Sequence, residues 1–472
     1  MGEARRRGSR RERKESAIAR KKALLIEAMG GRDPESDKAL RAGLDLLKER
    51  LSDKDWAERR AKIISFLNDI PTRLDLASAK SIRVRDDEIG WYIFLAEQAL
   101  DDPLCQDVNQ AARNLPFISS LGKKVAYRRK IKGLDVKLEE LLGKFKSQPD
   151  GLIFELLTAF SYAAEGWDVE FLPEAPGQKM PDLMVKKEGR EIFVECKRQS
   201  RRSDYAENER NEFLRRWDTA REVVLKNQQK LWFKCDIHTE VNLLPDDFLK
   251  EVFEKELPLA SNEAVIFDGP EATIAARQID WYSVKRHFSQ NRVKQNSPTL
   301  NQLLGGDWAL PSDNVTVQIF ARSSQIADCD SNILGCYIED VDWACGISRN
   351  VDAEAAIEKK ARDIKNLLAA AVRQVPTDKE SIIHIAVETL EGNRVEQRRT
   401  EKVMESIPGF TTEKMDSCVR LHSFRPNAST DQLWDFEETV QTFNRSWASL
   451  EGIPEAVVLP KGSDLRDGNH WD

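Results

Sequence analysis

The sequence predicts an α/β protein with an α-helical N-terminal region, a central mixed sheet flanked by helices and a C-terminal α/β region. Three observations predict this. Apolar residues recur at spacings of three and four through residues 16–145. After Gly151 the pattern becomes helix, strand, hairpin, helix, strand, and further apolar strands alternate with a helix downstream. At ~150 residues per domain, 472 residues predict two to four units.

The elements follow in order. AIARKKALLIEAM, DKALRAGLDLLKERL, DWAERRAKIISFL, EIGWYIFLAEQAL and VKLEELLGKF read as amphipathic helices. Gln148-Pro149-Asp150-Gly151 is a boundary signal. GLIFELLTAFSYAAE is a helix closed by Gly166 at the left-handed C′ position. WDVEFL alternates as a strand, and DLMVKKEGREIFVECKRQ is two strands joined at Lys187-Glu188-Gly189-Arg190. Residues 204–231 form a long charged helix, and FKCDIHTEV reads as the next strand, giving the order α-β-β-β-α-β. VTVQIFARS, NILGCYIED and IIHIAVETL look like strands, and AEAAIEKKARDIKNLLAAAVRQV is a helix ending before Pro376. Near the end, ETVQTFNRSWASL reads as a helix and AVVLP as a short strand. The expected organisation is a basic arm at 1–22, a helical region at 23–148, a core at 149–245 and an α/β region at 246–472 whose role is not legible.

Composition narrows the classes of function. The chain is 40% hydrophobic and 32% charged, with no apolar run of the ~18 residues that span a bilayer. Its charged N-terminus lacks the apolar stretch of a secretory leader, so a cytoplasmic location is expected. Seven cysteines without a CxxC pair read as free thiols in a reducing compartment; Cys329, Cys336 and Cys345 lack metal-finger spacing. A net charge of −7 gives no global attraction to nucleic acid, so a polyanion must be held by local patches. Residues 1–22 carry ten Lys or Arg against three Glu. Lys123, Lys124, Arg128, Arg129 and Lys130 form a second cluster, and Arg198, Arg201 and Arg202 a third, so these are candidate contacts to a phosphate backbone. No GxxxxGK[ST] loop is present, which argues against an ATP-driven motor.

The chemistry concentrates in MPDLMVKKEGREIFVECKRQ. Side chains alternate along a strand, so Phe193, Glu195 and Lys197 share one face while Ile192, Val194 and Cys196 share the apolar other. A carboxylate and an ammonium at the end of a hydrophobic strand need a reason, because burying charge without a partner costs several kcal/mol. Asp182 begins the hairpin partner and pairing can bring it beside Glu195. Two adjacent carboxylates repel unless a cation lies between them, and hard oxygen ligands suit Mg²⁺. The competing structural account makes Asp182 a turn cap, Glu195 and Lys197 an exposed ion pair, and Glu155 a solvated helix residue.

Pro181-Asp182, twelve intervening residues and Glu195-Cys196-Lys197 resemble the PD-(D/E)xK phosphodiesterases of the restriction-endonuclease-like superfamily. The resemblance covers residues 150–245 and implies a restriction-endonuclease-like core and a metal-dependent DNA endonuclease of restriction or defence against foreign DNA. It implies that Asp182 and Glu195 ligate Mg²⁺, with Mn²⁺ as substitute, and that Glu155 assists directly or through water. Lys197 would position the attacking water and stabilise the phosphorane charge, with Gln199 as accessory. The alternative is a nucleic-acid-binding or scaffolding protein that keeps the fold without cutting. DNA is favoured over RNA, no membrane is involved, and a homodimer or partner subunit is left open. The five histidines show no metal-ligand spacing, Cys196 reads as a core residue, and Trp217, Trp232 and Trp281 read as core before base-stacking.

Overall fold

The computed structural model describes residues 34–69, 84–173, 180–199, 203–295, 297–309, 314–326, 329–361, 364–410, 417–428, 435–443, 450–460 and 463. The basic arm, the expected helix at 17–29 and the candidate contacts Arg201 and Arg202 lie outside the described residues.

Among the described residues the strands are β1 (Ile131–Lys132), β2 (Asp168–Phe171), β3 (Leu183–Lys187), β4 (Arg190–Gln199), β5 (Leu231–Ile237), β6 (Glu263–Asp268), β7 (Ala272–Gln278), β8 (Val293–Lys294), β9 (Val315–Gln325), β10 (Cys336–Val351), β11 (Ser381–Glu388), β12 (Ser417–Asn427) and β13 (Asp435–Phe443). They form two mixed sheets, so the protein is α/β as the sequence predicts. The first has the order β1-β2-β3-β4-β11-β12-β13; the second has β6-β7-β5-β10-β8, with β9 on β10.

The first sheet is built around the hairpin that carries the motif. Glu188 and Gly189 both take positive φ at its turn, a conformation that glycine adopts without steric cost. β4 is antiparallel to β3 and parallel to β11. Alternation along the strands fills both faces. Ile192, Val194, Ile382 and Ala386 pack with the helical layer, formed by Pro34–Lys48, Glu88–Asp101, Val108–Lys124, Leu134–Leu142 and Asp150–Ala164. Ile383, Ile385 and Val387 pack with Leu368, Ala371 and Val403 of helices Lys365–Gln374 and Asn393–Phe410.

Five sequence expectations change. The 231–237 strand does not continue the motif's sheet; it pairs with β7 and β10 in the second, and helix Asp204–Asn227 packs there through Trp217. The place beside β4 belongs to β11, nearly two hundred residues later, so the 149–245 and 246–472 division cuts across both sheets. The start of ETVQTFNRSWASL is strand, since β13 pairs antiparallel with β12. AVVLP forms no strand, and the expected helix at 353–375 is two helices, Glu354–Lys360 and Lys365–Gln374.

A chain of buried polar groups joins the helical layer to the far side of this sheet. Tyr162 Oη lies 3.0 Å from His384 Nε2, His384 Nδ1 lies 2.8 Å from His422 Nε2, and His422 Nδ1 lies 2.9 Å from Glu438 Oε1. Glu438 also accepts the backbone N–H groups of Val457, Val458 and Leu459 at 2.8–2.9 Å. An ionised Glu438 can only accept, so the donors run one way from Tyr162 through neutral His384 and His422 to the carboxylate. Burial holds both histidines below their usual range. The buried Lys124 ammonium closes the same segment by donating to the Val457 carbonyl at 2.6 Å.

The structure also revises the free-thiol reading. Cys105, after the Glu88–Asp101 helix, and Cys329, in the β9–β10 connection, form a disulfide with Cα atoms 6.0 Å apart, leaving five free cysteines. Sequence distance hid this pairing, which a separation of 224 residues puts beyond any local spacing rule.

Glu438→Gln turns one acceptor into a donor facing N–H groups and should destabilise the chain by about 3 kcal/mol or more in urea denaturation, because a buried charge network loses its anion. Alkylation of denatured protein should label five cysteines without reductant and seven after reduction, read by intact mass.

Candidate active site

The β3–β4 ladder ends at Leu183 opposite Val194, and its antiparallel register continues to set Asp182 opposite Glu195. Opposed residues share a face, so both carboxyl groups project together. Asp182 Oδ2 accepts the Cys196 backbone N–H at 2.7 Å, and the Asp182 carbonyl accepts the Leu172 N–H at 3.0 Å. Asp182 is therefore fixed between β2 and β4 where the strands part.

Glu195 is 0% exposed. Its Oε1 is ion-paired with the Lys197 ammonium, while Oε2 has no hydrogen-bond partner. The account in which Glu195 and Lys197 form an exposed surface pair does not hold. Lys197 keeps 21% of its side chain exposed, so the ammonium lies at the rim of the buried pair. Cys196 packs into the core on the opposite face, and burial pushes its thiol far above the ordinary range, as expected of a core residue.

The electrostatics follow from burial and crowding. Burial, then the neighbouring Asp182 carboxylate, pushes Glu195 up to about 8. Burial raises Asp182 against the pull of Lys197 and the Cys196 N–H. Glu155, from the Asp150–Ala164 helix, is pushed up to about 7 by burial and then by Asp182. Lys197 is held above its usual range by Glu195 and Asp182 despite burial. A proton or another cation must therefore be held among these groups near neutral pH.

The donor set fits a hard divalent ion, with the buried Glu195 carboxyl beside the half-buried Asp182, one Glu195 oxygen unpartnered, and no sulfur or imidazole offered. Asp182 and Glu195 would hold it. Glu155 does not join them in a three-ligand group within 4.8 Å among the described residues, although the Asp182 carboxylate is near enough to raise it. Among the described residues, the group of three potential ligands gathered within 4.8 Å is Asp102, Cys105 and Cys329, whose sulfurs are bonded to each other. Glu155 instead lies 3.3 Å from the Lys137 ammonium. Gln199 is half-buried at the end of β4, beside Val387 of β11.

The expected phosphate contacts do not converge here. The Arg198 side chain is 1% exposed, donates to Glu388 at 2.7 Å and lies over the Phe117 ring, making it part of the core. Arg113 joins it by binding Asp150 and Glu388 at 2.7 and 2.8 Å. The half-buried Lys124 is engaged by Ser120, Ser161 and the Val457 carbonyl, and Arg128 is paired with Glu49 at 2.8 Å. Lys130 is exposed and donates to the Gly166 carbonyl, beyond the far end of the helix that carries Glu155. Eleven residues of that segment put it ~16 Å from Glu155. Lys123 and Arg129 are exposed in the same remote cluster. Charge counted along the sequence does not show which tips turn inward.

Sequence reasoning missed Lys137, in VKLEELLGKF, and the buried partners of Arg198. Lys137 is one of many lysines on amphipathic helices, and only tertiary packing brings it to Glu155. No family model, curated protein or solved structure matches the chain.

In the folded state Glu155 and Glu195 bind protons up to about pH 7 and 8, whereas unfolded glutamates release them near 4.5. These two groups thus hold more protons when folded across this window, and their contribution to the stability of metal-free protein should fall as pH rises from about 4.5 to 8, against the opposite contribution of the buried neutral His384 and His422 below about pH 6.5. With EDTA, the melting temperature of wild type should therefore decline relative to that of Glu195→Gln over that range. Mn²⁺ should restore it most at the alkaline end. A wild-type melting temperature that tracks Glu195→Gln at every pH and does not respond to Mn²⁺ would contradict the site.

Proposed function

We propose that the chain is a divalent-metal-dependent nuclease that hydrolyses phosphodiester bonds, with DNA as the favoured substrate. The observation that carries this reading is the wholly buried Glu195, one oxygen unpartnered, set against Asp182 with Lys197 at the rim. A structural ion pair would not need the second carboxyl, and burying it raises the cost. A hard divalent ion bound by Asp182 and Glu195 would supply Lewis acidity and a water of lowered pKa.

The chain's own groups do the rest. Asp182 is oriented by the Cys196 N–H and lies within side-chain hydrogen-bond reach of Glu195. Glu195 is rigid because it belongs to a strand paired on both sides. Lys197 brings a fixed positive charge to the rim, where it would stabilise the charge that builds on a pentacovalent phosphate. β11 supports the back of the site, since Ile383 and Ile385 lie in register with Glu195 and Lys197 and pack against the flanking helices. On this reading the helix and strand that follow the motif in a restriction-endonuclease-like order would be Lys365–Gln374 and β11, in place of those that directly follow it in sequence.

Affinity for polyanions rests on fewer residues than the charge pattern suggested, because the Arg198 side chain is internal and the Lys124 ammonium is taken by Ser120, Ser161 and the Val457 carbonyl. A binding protein without turnover is the competing outcome of one experiment. Supercoiled DNA, linear DNA, single strands and RNA are incubated with full-length protein and Mg²⁺ or Mn²⁺. Cleavage should appear with metal, favour DNA, and fall at least about 100-fold in Asp182→Asn, Glu195→Gln and Lys197→Met, each checked by circular dichroism to keep the wild-type fold. Binding without metal-dependent cleavage would support the non-cutting alternative, and cleavage unaffected by all three changes would reject the site.

A further inference from the structure

The helical layer meets the second sheet along a seam that the candidate site does not use. The turn Pro103–Cys105, which follows the Glu88–Asp101 helix, is bonded to β8, β10 and the connection between β9 and β10. Tyr337 of β10 donates to the Leu104 carbonyl at 2.9 Å, and the Lys294 ammonium of β8 donates to the same carbonyl at 3.1 Å and to that of Gln106. From helix Asp53–Asp69, Arg60 pairs with Asp330 at 2.5 Å, and Asn68 donates to the Asp330 carbonyl and accepts the Asn332 N–H, both at 3.2 Å. Leu334 is buried in the apolar core of the helical layer. The second sheet has an apolar core of its own, so the seam fastens together two packed bodies.

Closing this seam strips polar groups of water. Gln106 is 0% exposed, and neither the oxygen nor the nitrogen of its side-chain amide has a hydrogen-bond partner. A buried amide left so is destabilising, because it has given up the bonds it makes to water. The Lys294 ammonium has exchanged water for two carbonyls, and burial pushes it down to about 8. The Cys105–Cys329 disulfide is the covalent bond that holds the seam shut against this cost. Its two ends differ in access, since Cys105 is 0% exposed and Cys329 is half-buried. A thiol arriving from solution therefore meets the Cys329 sulfur first.

We propose that Cys105–Cys329 is a redox-controlled fastening, and that a dithiol reductant opens the seam locally by breaking it while both packed bodies stay folded. This does not depend on the nuclease reading. One thiolate of the reductant attacks Cys329 Sγ, the Cys105–Cys329 bond breaks as a mixed disulfide forms, and Cys105 leaves with the bonding electron pair and takes up a proton. The Asp102 carboxylate, within 4.8 Å of both sulfurs, disfavours a lasting thiolate there. The reductant's second thiolate then attacks its own sulfur in the mixed disulfide, and Cys329 leaves with the electron pair and takes up the second proton. The protein gains two electrons and two protons, and the dithiol is oxidised to a cyclic disulfide. Residues 329–335 then part from the 103–106 turn, and water reaches Gln106 and Lys294.

Alkylation rates of individual cysteines in the native full-length protein decide the matter. The chain is reduced with dithiothreitol, desalted without oxygen, treated with iodoacetamide and read by peptide mass. Cys235 and Cys345, both 0% exposed in the second sheet, report any general unfolding. Cys105 should react within about 10-fold of the rate of Cys329, and Cys235 and Cys345 at least about 100-fold more slowly. Gln106→Met removes the unpartnered amide at similar volume and should slow Cys105 at least about 10-fold while leaving Cys329 unchanged. Cys105 as slow as Cys235 and Cys345 would mean that the seam stays shut without its bond, and all four reacting together would mean that the bond staples the whole fold. Either result overturns the proposal, as would equal Cys105 rates in wild type and Gln106→Met, or seven cysteines free before reduction.

Discussion

Placing the Glu195 carboxyl beside Asp182 inside a sheet costs several kcal/mol unless a cation joins them, and much of the surrounding structure answers that cost. The Cys196 N–H takes one oxygen of Asp182, and Lys197 takes one of Glu195. Neither donor offsets the loss of water, so burial lifts both groups, and the Asp182 carboxylate lifts Glu195 further. Sheets do not retain such an arrangement for stability alone, since apolar residues of similar volume would fill the place at lower cost.

The same end of β4 is braced by charge of the opposite arrangement. Arg198, adjacent to Lys197, is enclosed by Glu388, Asp150 and the Phe117 and Phe424 rings, and Arg113 completes the network from the Val108–Lys124 helix. These contacts fix the strand end against the start of the helix that bears Glu155. The two alternating sides of β4 thus divide the labour. Glu195 and Lys197 project to one face, while the arginine after them secures the strand to the helical layer.

How much of this was legible in the sequence depends on whether local alternation or long-range pairing decides the feature. Alternation along Ile192–Lys197 placed Glu195 and Lys197 on one face, and the Glu188-Gly189 turn set the register that brings Asp182 opposite. The neighbour of β4 was not legible. Apolar strands such as LWFKCDI and SIIHIAVE carry equivalent local signals, and nothing in either states which sheet it will join. β13 was misread for a related reason, since Val440 and Phe443 fit a helical spacing while Phe436, Glu438 and Val440 fit a strand. Lys124, Lys137 and Arg198 were indistinguishable from solvated lysines and arginines, because burial of a long side chain is settled by what packs over it.

The distance along the chain between β4 and β11 bears on how the protein is made. A strand emerging from the ribosome with Gln199 at its end waits for Ser381 before its second edge can be paired. At ~5–20 residues per second that wait is on the order of 10–40 seconds, and the Val457–Leu459 segment bound by Glu438 arrives later still. The carboxyl pair therefore has no rigid backing while the chain is nascent. The two carboxyl groups can therefore be held in one geometry only after residues 381–388 have left the ribosome.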